Sequence, residues 1–335
     1  MDITTVADDL IVVHDGLEVI RLEHLEPSTT HHVRGHDITT RARPAGALLC
    51  RFATVNDVHF GETECGKIDN DPNGPIQRPL HGEASYPDTM NQGAVAEIAT
   101  IDPTVVIVKG DLTNAGRPEE FAAFEACYRT AFDDKLHVVR GNHDAYEGQH
   151  EYAGDRWIEM PGVVVALIDT TIARHTTGTI TDEQIDWLDD HLANTDRPVI
   201  VMGHHQQWIP GGDMSHRGED YFGLHPDASD ALDELFARRT KALAYTAGHT
   251  HRHRVRHMSC GAPSIEIGCV KDFPGTWAEY RVYEGGIDQV VHRISTPDAL
   301  SWSERCRHLY SDFAVDYESY ALGTLEDRCC TIPLR

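Results

Sequence analysis

The apolar positions of this chain fall into short runs that end abruptly in polar clusters. Leu48 to Val55, Val105 to Val108, Leu136 to Arg140, Val163 to Ile168, Val199 to Met202 and Ala242 to Ala247 are near-continuous and rich in β-branched residues. Runs of this length without polar alternation predict strands covered on both faces. Helical periods lie between them. Met90, Ala94, Ile98 and Ile101 share a face over Asp88 to Thr100, and Asp227 to Arg238 turns Leu232, Leu235 and Phe236 inward. Pro118 suits the first turn of a helix carrying Phe121, Phe124, Cys127 and Tyr128. Thr181-Asp182-Glu183-Gln184 reads as a capping box ahead of Ile185, Leu188 and Leu192. Ser264 to Val270, Ala278 to Tyr283 and Asp288 to Ile294 then follow one another as strands. Alternating strands and helices that give way to consecutive strands predict an α/β layered fold with some antiparallel sheet.

The flanks read differently. Leu10 to Val13 and Leu17 to Leu22, around His14-Asp15-Gly16, predict a hairpin. Residues 1–47 are therefore expected to form an N-terminal β extension, residues 48–295 the main domain, and residues 296–335 a C-terminal tail with a helix. Cys329-Cys330 is read as a buried contact of that tail. Loops 60–87 and 206–224 are long enough to carry function.

Charge narrows the partners. The 335 residues include 29 basic and 54 acidic side chains, a formal net charge of -25. Such a surface repels polyanions, and affinity for nucleic acid comes mostly from Lys and Arg on phosphates, so a long nucleic acid is excluded as a partner. A small phosphate ester in a locally positive pocket is compatible with it. No apolar run approaches the roughly 18 residues of a membrane span, and the N-terminus lacks the pattern of a secretory signal. The eight cysteines show no CxxC spacing. These features lead to the expectation of a cytoplasmic protein with reduced thiols, and a homodimer is compatible with them.

The polar clusters carry the chemistry. Asn56-Asp57-Val58-His59, Gly110-Asp111, Gly141-Asn142-His143-Asp144, Gly203-His204-His205 and Gly248-His249-Thr250-His251 each follow one of the strand-like runs. Ligand and catalytic groups of open α/β sheets collect beyond the carboxyl ends of strands. In Asp57-Val58-His59 and His249-Thr250-His251, residues i and i+2 point to the same side of an extended segment. The candidate ligands are Asp57, His59, Asp111, Asn142, His204, His249 and His251. This set exceeds what one tetrahedral zinc needs and suits two divalent first-row ions, Mn²⁺ or Fe favoured and Zn²⁺ compatible. Asp111 is the candidate bridge between two ions. A two-metal site of this kind hydrolyses phosphate esters by in-line attack of a hydroxide held at the metals. His143 is the candidate acid for the leaving group, with Asp144 placed to fix its tautomer. Asn142, His205 and Arg140 are candidate contacts to the phosphate.

Taken together, the five blocks resemble those of the calcineurin-like metallophosphoesterases, in that family's order. The size of the chain and its Gly203-His204-His205 block are most similar to bacterial class III cyclic-nucleotide phosphodiesterases. The resemblance implies a four-layer α/β/β/α sandwich around two mixed β-sheets. It also implies that Asp57, His59, Asp111 and His251 hold one metal, and that Asp111, Asn142, His204 and His249 hold the other. Purple acid phosphatases of this family place an iron-binding tyrosine three residues after the bridging aspartate. Asn114 stands there instead, which argues against a purple Fe(III) centre. The function expected is hydrolysis of a small phosphodiester or phosphomonoester, with cyclic or other nucleotides favoured. The alternative is a scaffold of the same fold with weak turnover.

Overall fold

The computed structural model describes residues 1–67, 76–210 and 222–335. The expected functional loops 60–87 and 206–224 fall partly outside the described residues.

Two six-stranded sheets form the middle of the molecule. One runs in the order Cys329–Ile332, Gly286–Arg293, Thr276–Tyr283, Leu48–Val55, Val106–Lys109, Leu136–Val139. Its last three strands are parallel, and the others join antiparallel. The other sheet runs Arg254–His257, Pro263–Glu266, Ala242–Ala247, Val199–Met202, Val163–Leu167, Arg156–Met160, with antiparallel strands at both edges. Both sheets are mixed, as expected.

The buried faces explain the layering. Phe52, Ile107, Val139, Val165, Leu167, Ile200, Met202 and Tyr280 form one cluster between the sheets. Phe52 and Tyr280 are cross-strand partners whose rings stack at 4.7 Å. Alternate residues of the same strands face outward. Val106, Val108 and Val138 pack against Met90, Ile98, Phe124 and Trp302 of the helices on one side. Val164, Ala166, Val199 and Val201 pack against Leu188, Leu192, Leu232 and Phe236 on the other. Strands covered on both faces have no solvent side, which is why these runs lack alternation. The result is the four-layer sandwich. Deleting one fully buried ring such as Phe52 would cost about 3–5 kcal/mol in lost burial and residual cavity.

The helices begin where their caps place them. Thr181 accepts from the Gln184 amide and Gln184 answers on the Thr181 amide, so Asp182–Asn194 starts at the expected box. Tyr86–Thr100 and Pro226–Arg238 start with Pro in their first turns, one or two residues before the expected starts. The helix at Pro118 runs to Phe124 and continues through a wider π turn at Glu125–Arg129.

The flanks pack more closely than expected. Asp2–Val6, Leu10–Asp15 and Glu18–Glu23 form an antiparallel sheet, followed by the hairpin Thr30–Val33 and His36–Thr39. Val12 and Leu10 share a small cluster with Val290 and Cys329. Arg281 reaches Asp8 and Asp9 at 2.7 Å. At the other end, Cys329 is buried, and the contact it makes is that of an edge strand, Cys329–Ile332, beside Gly286–Arg293. Its four residues are too few for periodicity to reveal a strand. None of the eight cysteines forms a disulfide. No helix among the described residues is long and apolar enough to cross a membrane.

Candidate metal centre

The site forms where the parallel strands of both sheets end. Leu48–Val55, Val106–Lys109 and Leu136–Val139 deliver Asp57, His59, Asp111, Asn142 and His143. Val199–Met202 and Ala242–Ala247 deliver His204, His249 and His251. Ligand atoms of Asp57, Asp111 and His204 lie within 4.8 Å of one another, as do those of Asp57, His59 and His251. Asp111 is central, with Oδ2 at 3.5 Å from His59 Nε2 and 3.3 Å from His204 Nε2. His251 Nε2 lies 3.5 Å from Asp57 Oδ1. Asn142 Oδ1 lies 3.1 Å from His204 Nε2.

The backbone is strained at these residues. Asp57, His59, Asp111, His249 and His251 have φ of 55°, 48°, 50°, 68° and 54°. Side chains other than Gly rarely adopt this region, and residues held there collect at functional sites that the surroundings over-determine. Close packing explains one neighbouring glycine. A Cβ on Gly141 would collide with the Asp111 carboxylate and amide.

Hydrogen bonds on the outer side of the rings decide which nitrogen faces inward. His204 Nδ1 is 2.9 Å from the Lys109 carbonyl, which can only accept, so that nitrogen carries hydrogen. Its Nε2 then faces Asp111 and Asn142, both of which present acceptor oxygens. His59 has both ring nitrogens buried without a hydrogen-bond partner, and His249 has Nε2 in the same state. Burial holds both imidazoles well below their ordinary pKa, so they are neutral with lone pairs available. His204 goes the other way. Burial opposes its charge, but the Asp111 and Asp57 carboxylates and the Lys109 carbonyl together outweigh burial and raise it to about 9. Lone pairs converging on one place, with carboxylates that draw a proton onto the nearest imidazole, describe a site built for cations. Cys269 is beside His251, but burial and then Asp272 push its thiol up to about 12, so it offers no thiolate.

A family model for calcineurin-like phosphoesterases matches residues 50–253. The chain belongs to the calcineurin-like phosphoesterase family. Among its relatives, a probable glycerophosphodiester phosphodiesterase GpdQ of Arcobacter nitrofigilis is 27% identical over 184 residues, covering 49% of this chain and 65% of the relative. A probable cyclic nucleotide phosphodiesterase of Synechococcus is 21% identical over 207 residues, covering 58% and 78%. The glycerophosphodiester phosphodiesterase GpdQ of Enterobacter lignolyticus is 31% identical over 172 residues, covering 46% and 56%. The chain thus spans less than two thirds of the length of either GpdQ relative. A dimetal phosphatase from Danio rerio superposes with a TM-score of 0.56 at 16% identity, over 74% of this chain and 98% of that one, and so shares the fold.

Within this calcineurin-like phosphoesterase, the expected contacts separate. His143 lines the cleft above the centre together with Asn142, His249 and His251. Its ring stands 4.6 Å from that of His59. Asp144, however, is not its partner. His143 Nδ1 is 2.7 Å from the Asn114 carbonyl, and that oxygen fixes the tautomer. The Asp144 carboxylate turns inward and accepts from the amides of Leu112, Thr113 and Gly141 and from the Thr113 hydroxyl, at 2.6–3.0 Å. Burial and the charge of Asp111 push its pKa up to about 6.

Arg140 and His205 do not line the cleft. The Arg140 guanidinium is held by Asp169 and by the Gln149 carbonyl, each at 2.8 Å. His205 is fully buried, with Nδ1 2.8 Å from the Thr170 hydroxyl and Nε2 3.2 Å from the Thr176 carbonyl. Arg140 is turned off the cleft while Asn142 beside it lines it. His205 stays next to the centre, with a ring nitrogen within 4.8 Å of nitrogens of His204 and His249, but both its nitrogens have partners of their own.

Other residues do the supporting work. Asn56 bonds the Asp57 carboxylate and the carbonyls of Ile267 and Gly268. Tyr146 accepts from the Asn142 amide nitrogen at 2.7 Å, which leaves Oδ1 facing His204. An aromatic hydroxyl four residues after Asn142 was the available signal for it. Asp272 Oδ2 lies 3.5 Å from His251 Nδ1, and no local pattern links these two positions.

Proposed function

We propose that this protein is a metal-dependent phosphoesterase with a dinuclear centre, hydrolysing a small phosphodiester or phosphomonoester. The observation that carries the reading is the buried set of acceptors around Asp111 Oδ2, with the His59 and His249 nitrogens left unpaired among them. An apolar or purely structural site would not leave such groups without partners, because each costs roughly 1–3 kcal/mol. Asp57, His59, Asp111 and His251 would hold one ion, and Asp111, Asn142, His204 and His249 the other. The mixture of carboxylate, amide oxygen and imidazole, without thiolate, suits Mn²⁺ or Fe, with Zn²⁺ compatible. Ions held by these residues would supply Lewis-acid polarisation of the phosphoryl oxygens and a water made acidic enough to attack near neutral pH.

The side chains supply the rest. Asp57 and Asp111 bring negative charge into a buried place and so favour cations there over protons alone. His143, with Nδ1–H committed to the Asn114 carbonyl, has Nε2 left to hand a proton to the departing alkoxide. After that transfer the ring is neutral, in the tautomer that Asn114 already stabilises. Asp144 acts on position rather than on the proton, since it ties Gly141 to the loop that bears Asp111.

The cleft over the centre measures about 410 Å³ and includes Tyr146, Phe222 and Tyr320 in its walls. This size accepts a nucleotide or a glycerophosphodiester, the two kinds of substrate named for the relatives. Aromatic walls favour the nucleotide. No observation favours the scaffold reading, because every ligand position is filled. The test is hydrolysis of bis(p-nitrophenyl) phosphate after metal removal and reloading with Mn²⁺, Fe²⁺ or Zn²⁺, followed by a screen of cyclic nucleotides and glycerophosphodiesters. Absence of turnover with every metal at full loading would overturn the reading.

A further inference from the structure

The loop that carries His249 and His251 is held from outside the region matched by the family model. Its residues His249 and His251 both have positive φ, at 68° and 54°, with Thr250 between them. Such a segment keeps its shape only where neighbours impose it. Part of the restraint comes from the first sheet, where Asp57 accepts from the His249 amide at 3.1 Å. The remainder comes from the helix Tyr317–Leu322. The Tyr320 hydroxyl donates to the Thr250 carbonyl at 2.9 Å, on the peptide between the two strained residues. The Tyr317 hydroxyl donates to Asp272 Oδ1 at 2.8 Å, and the other oxygen of that carboxylate faces His251 Nδ1 at 3.5 Å. The Ala321 carbonyl accepts from the His253 amide at 3.1 Å, just past the loop. Tyr317 is buried, and its ring stacks on that of Tyr320, with centroids 6.1 Å apart.

We propose that Tyr317 and Tyr320 are positioning residues for the metal centre. Tyr320 fixes the path of the backbone between His249 and His251. Tyr317 fixes the Asp272 carboxylate, and through it the ring of His251. The C-terminal segment is then part of the metal site although it contributes no ligand. Partners of this kind orient a ligating imidazole and raise its basicity, and their loss typically weakens metal binding by about 10–100-fold.

The proposal rests on the dinuclear reading, and a single titration separates the two. The full chain is stripped of metal and titrated with Mn²⁺ by calorimetry, with the melting temperature of the metal-free form measured in parallel. Wild-type protein that binds fewer than two Mn²⁺ would overturn the dinuclear reading itself. With two bound, Tyr317→Phe is expected to weaken the site that includes His251 by about tenfold, and Tyr320→Phe to weaken at least one of the two sites by as much. Their metal-free melting temperatures should stay close to wild type, since each substitution removes one hydroxyl and leaves the ring. Wild-type affinity at both sites in both variants would overturn the proposal. So would a loss of affinity accompanied by an equal loss of metal-free stability, because a purely structural contact would produce that pattern. Tyr320 is 38% exposed, so its variant remains informative even where Tyr317→Phe disturbs folding.

Discussion

The two turns that carry the densest chemistry are braced in opposite ways. Gly141 to Asp144 is held from within. Its own last residue, Asp144, is fully buried and collects four hydrogen bonds that join it to Gly141 and to the Asp111 loop. Gly248 to His251 closes on itself only through Thr250, whose amide donates to the Gly248 carbonyl at 2.8 Å. It is held by Asp57 from the other sheet and by Tyr320 and, through Asp272, Tyr317 from the end of the chain. In the first turn only the Gly141–Asp144 bond lies within four consecutive residues, and the other three span 31 or 32 positions. A turn braced from outside depends on contacts that span up to 192 positions. Holding nitrogens and oxygens in place is thus met once by a buried side chain of the turn itself and once by side chains that reach it from other elements.

The largest effect should come from breaking the internal brace. Asp144→Ala leaves three buried amides and the Thr113 hydroxyl without their acceptor. We expect a loss of about 4 kcal/mol in urea unfolding, and turnover that excess Mn²⁺ does not restore. A variant that is stable and recovers with metal would show that Asp144 is not what holds the turn.

His143→Ala tests what the turn presents rather than what holds it. Turnover should fall by about 10²–10⁴-fold for alkyl esters and less for nitrophenyl esters, whose leaving groups need little protonation. Both Mn²⁺ should still bind. Equal losses for the two ester classes would remove His143 from the proton-donating role.

Metal removal weighs both turns together. Restoring Mn²⁺ to the stripped protein at about 100 times its dissociation constant should add about 2.7 kcal/mol per site, read as a rise in melting temperature. An unchanged melting temperature would mean that neither turn is organised around an ion.

The smallest effect is expected at Arg140. Arg140→Lys loses the bidentate reach of the guanidinium to Asp169 and Gln149, at a cost of about 1–2 kcal/mol in stability. KM should stay within about twofold, because the side chain faces away from the cleft. A large rise in KM with unchanged stability would return Arg140 to the substrate.

How much of this was legible differs from element to element. Leu48–Val55, Val199–Met202 and Ala242–Ala247 coincide with their expected runs, because strand positions covered on both faces are mostly apolar. Arg156–Met160 and Arg254–His257 escaped notice, since edge strands carry polar side chains that hide the pattern. In the candidate site, the chain named the residue types at the strand ends but not their directions. His204 and His205 are adjacent and chemically identical. His204 reaches Asp111, while the His205 nitrogens bond Thr170 and Thr176 although one of them also lies within 4.8 Å of a His249 nitrogen.

By itself the sequence determined an α/β layered fold and the Asp, Asn and His residues at its strand ends, because apolar runs and residue types are properties of consecutive residues; the two-sheet sandwich followed from the family resemblance. The tertiary structure alone decided that Asn114 rather than Asp144 orients His143, that Arg140 and His205 are held off the cleft, and that Tyr320 and, through Asp272, Tyr317 reach the loop of His249 and His251. Each of these is a hydrogen bond between groups that only folding brings within about 3 Å, and a backbone carbonyl or a distant hydroxyl leaves no mark in local composition.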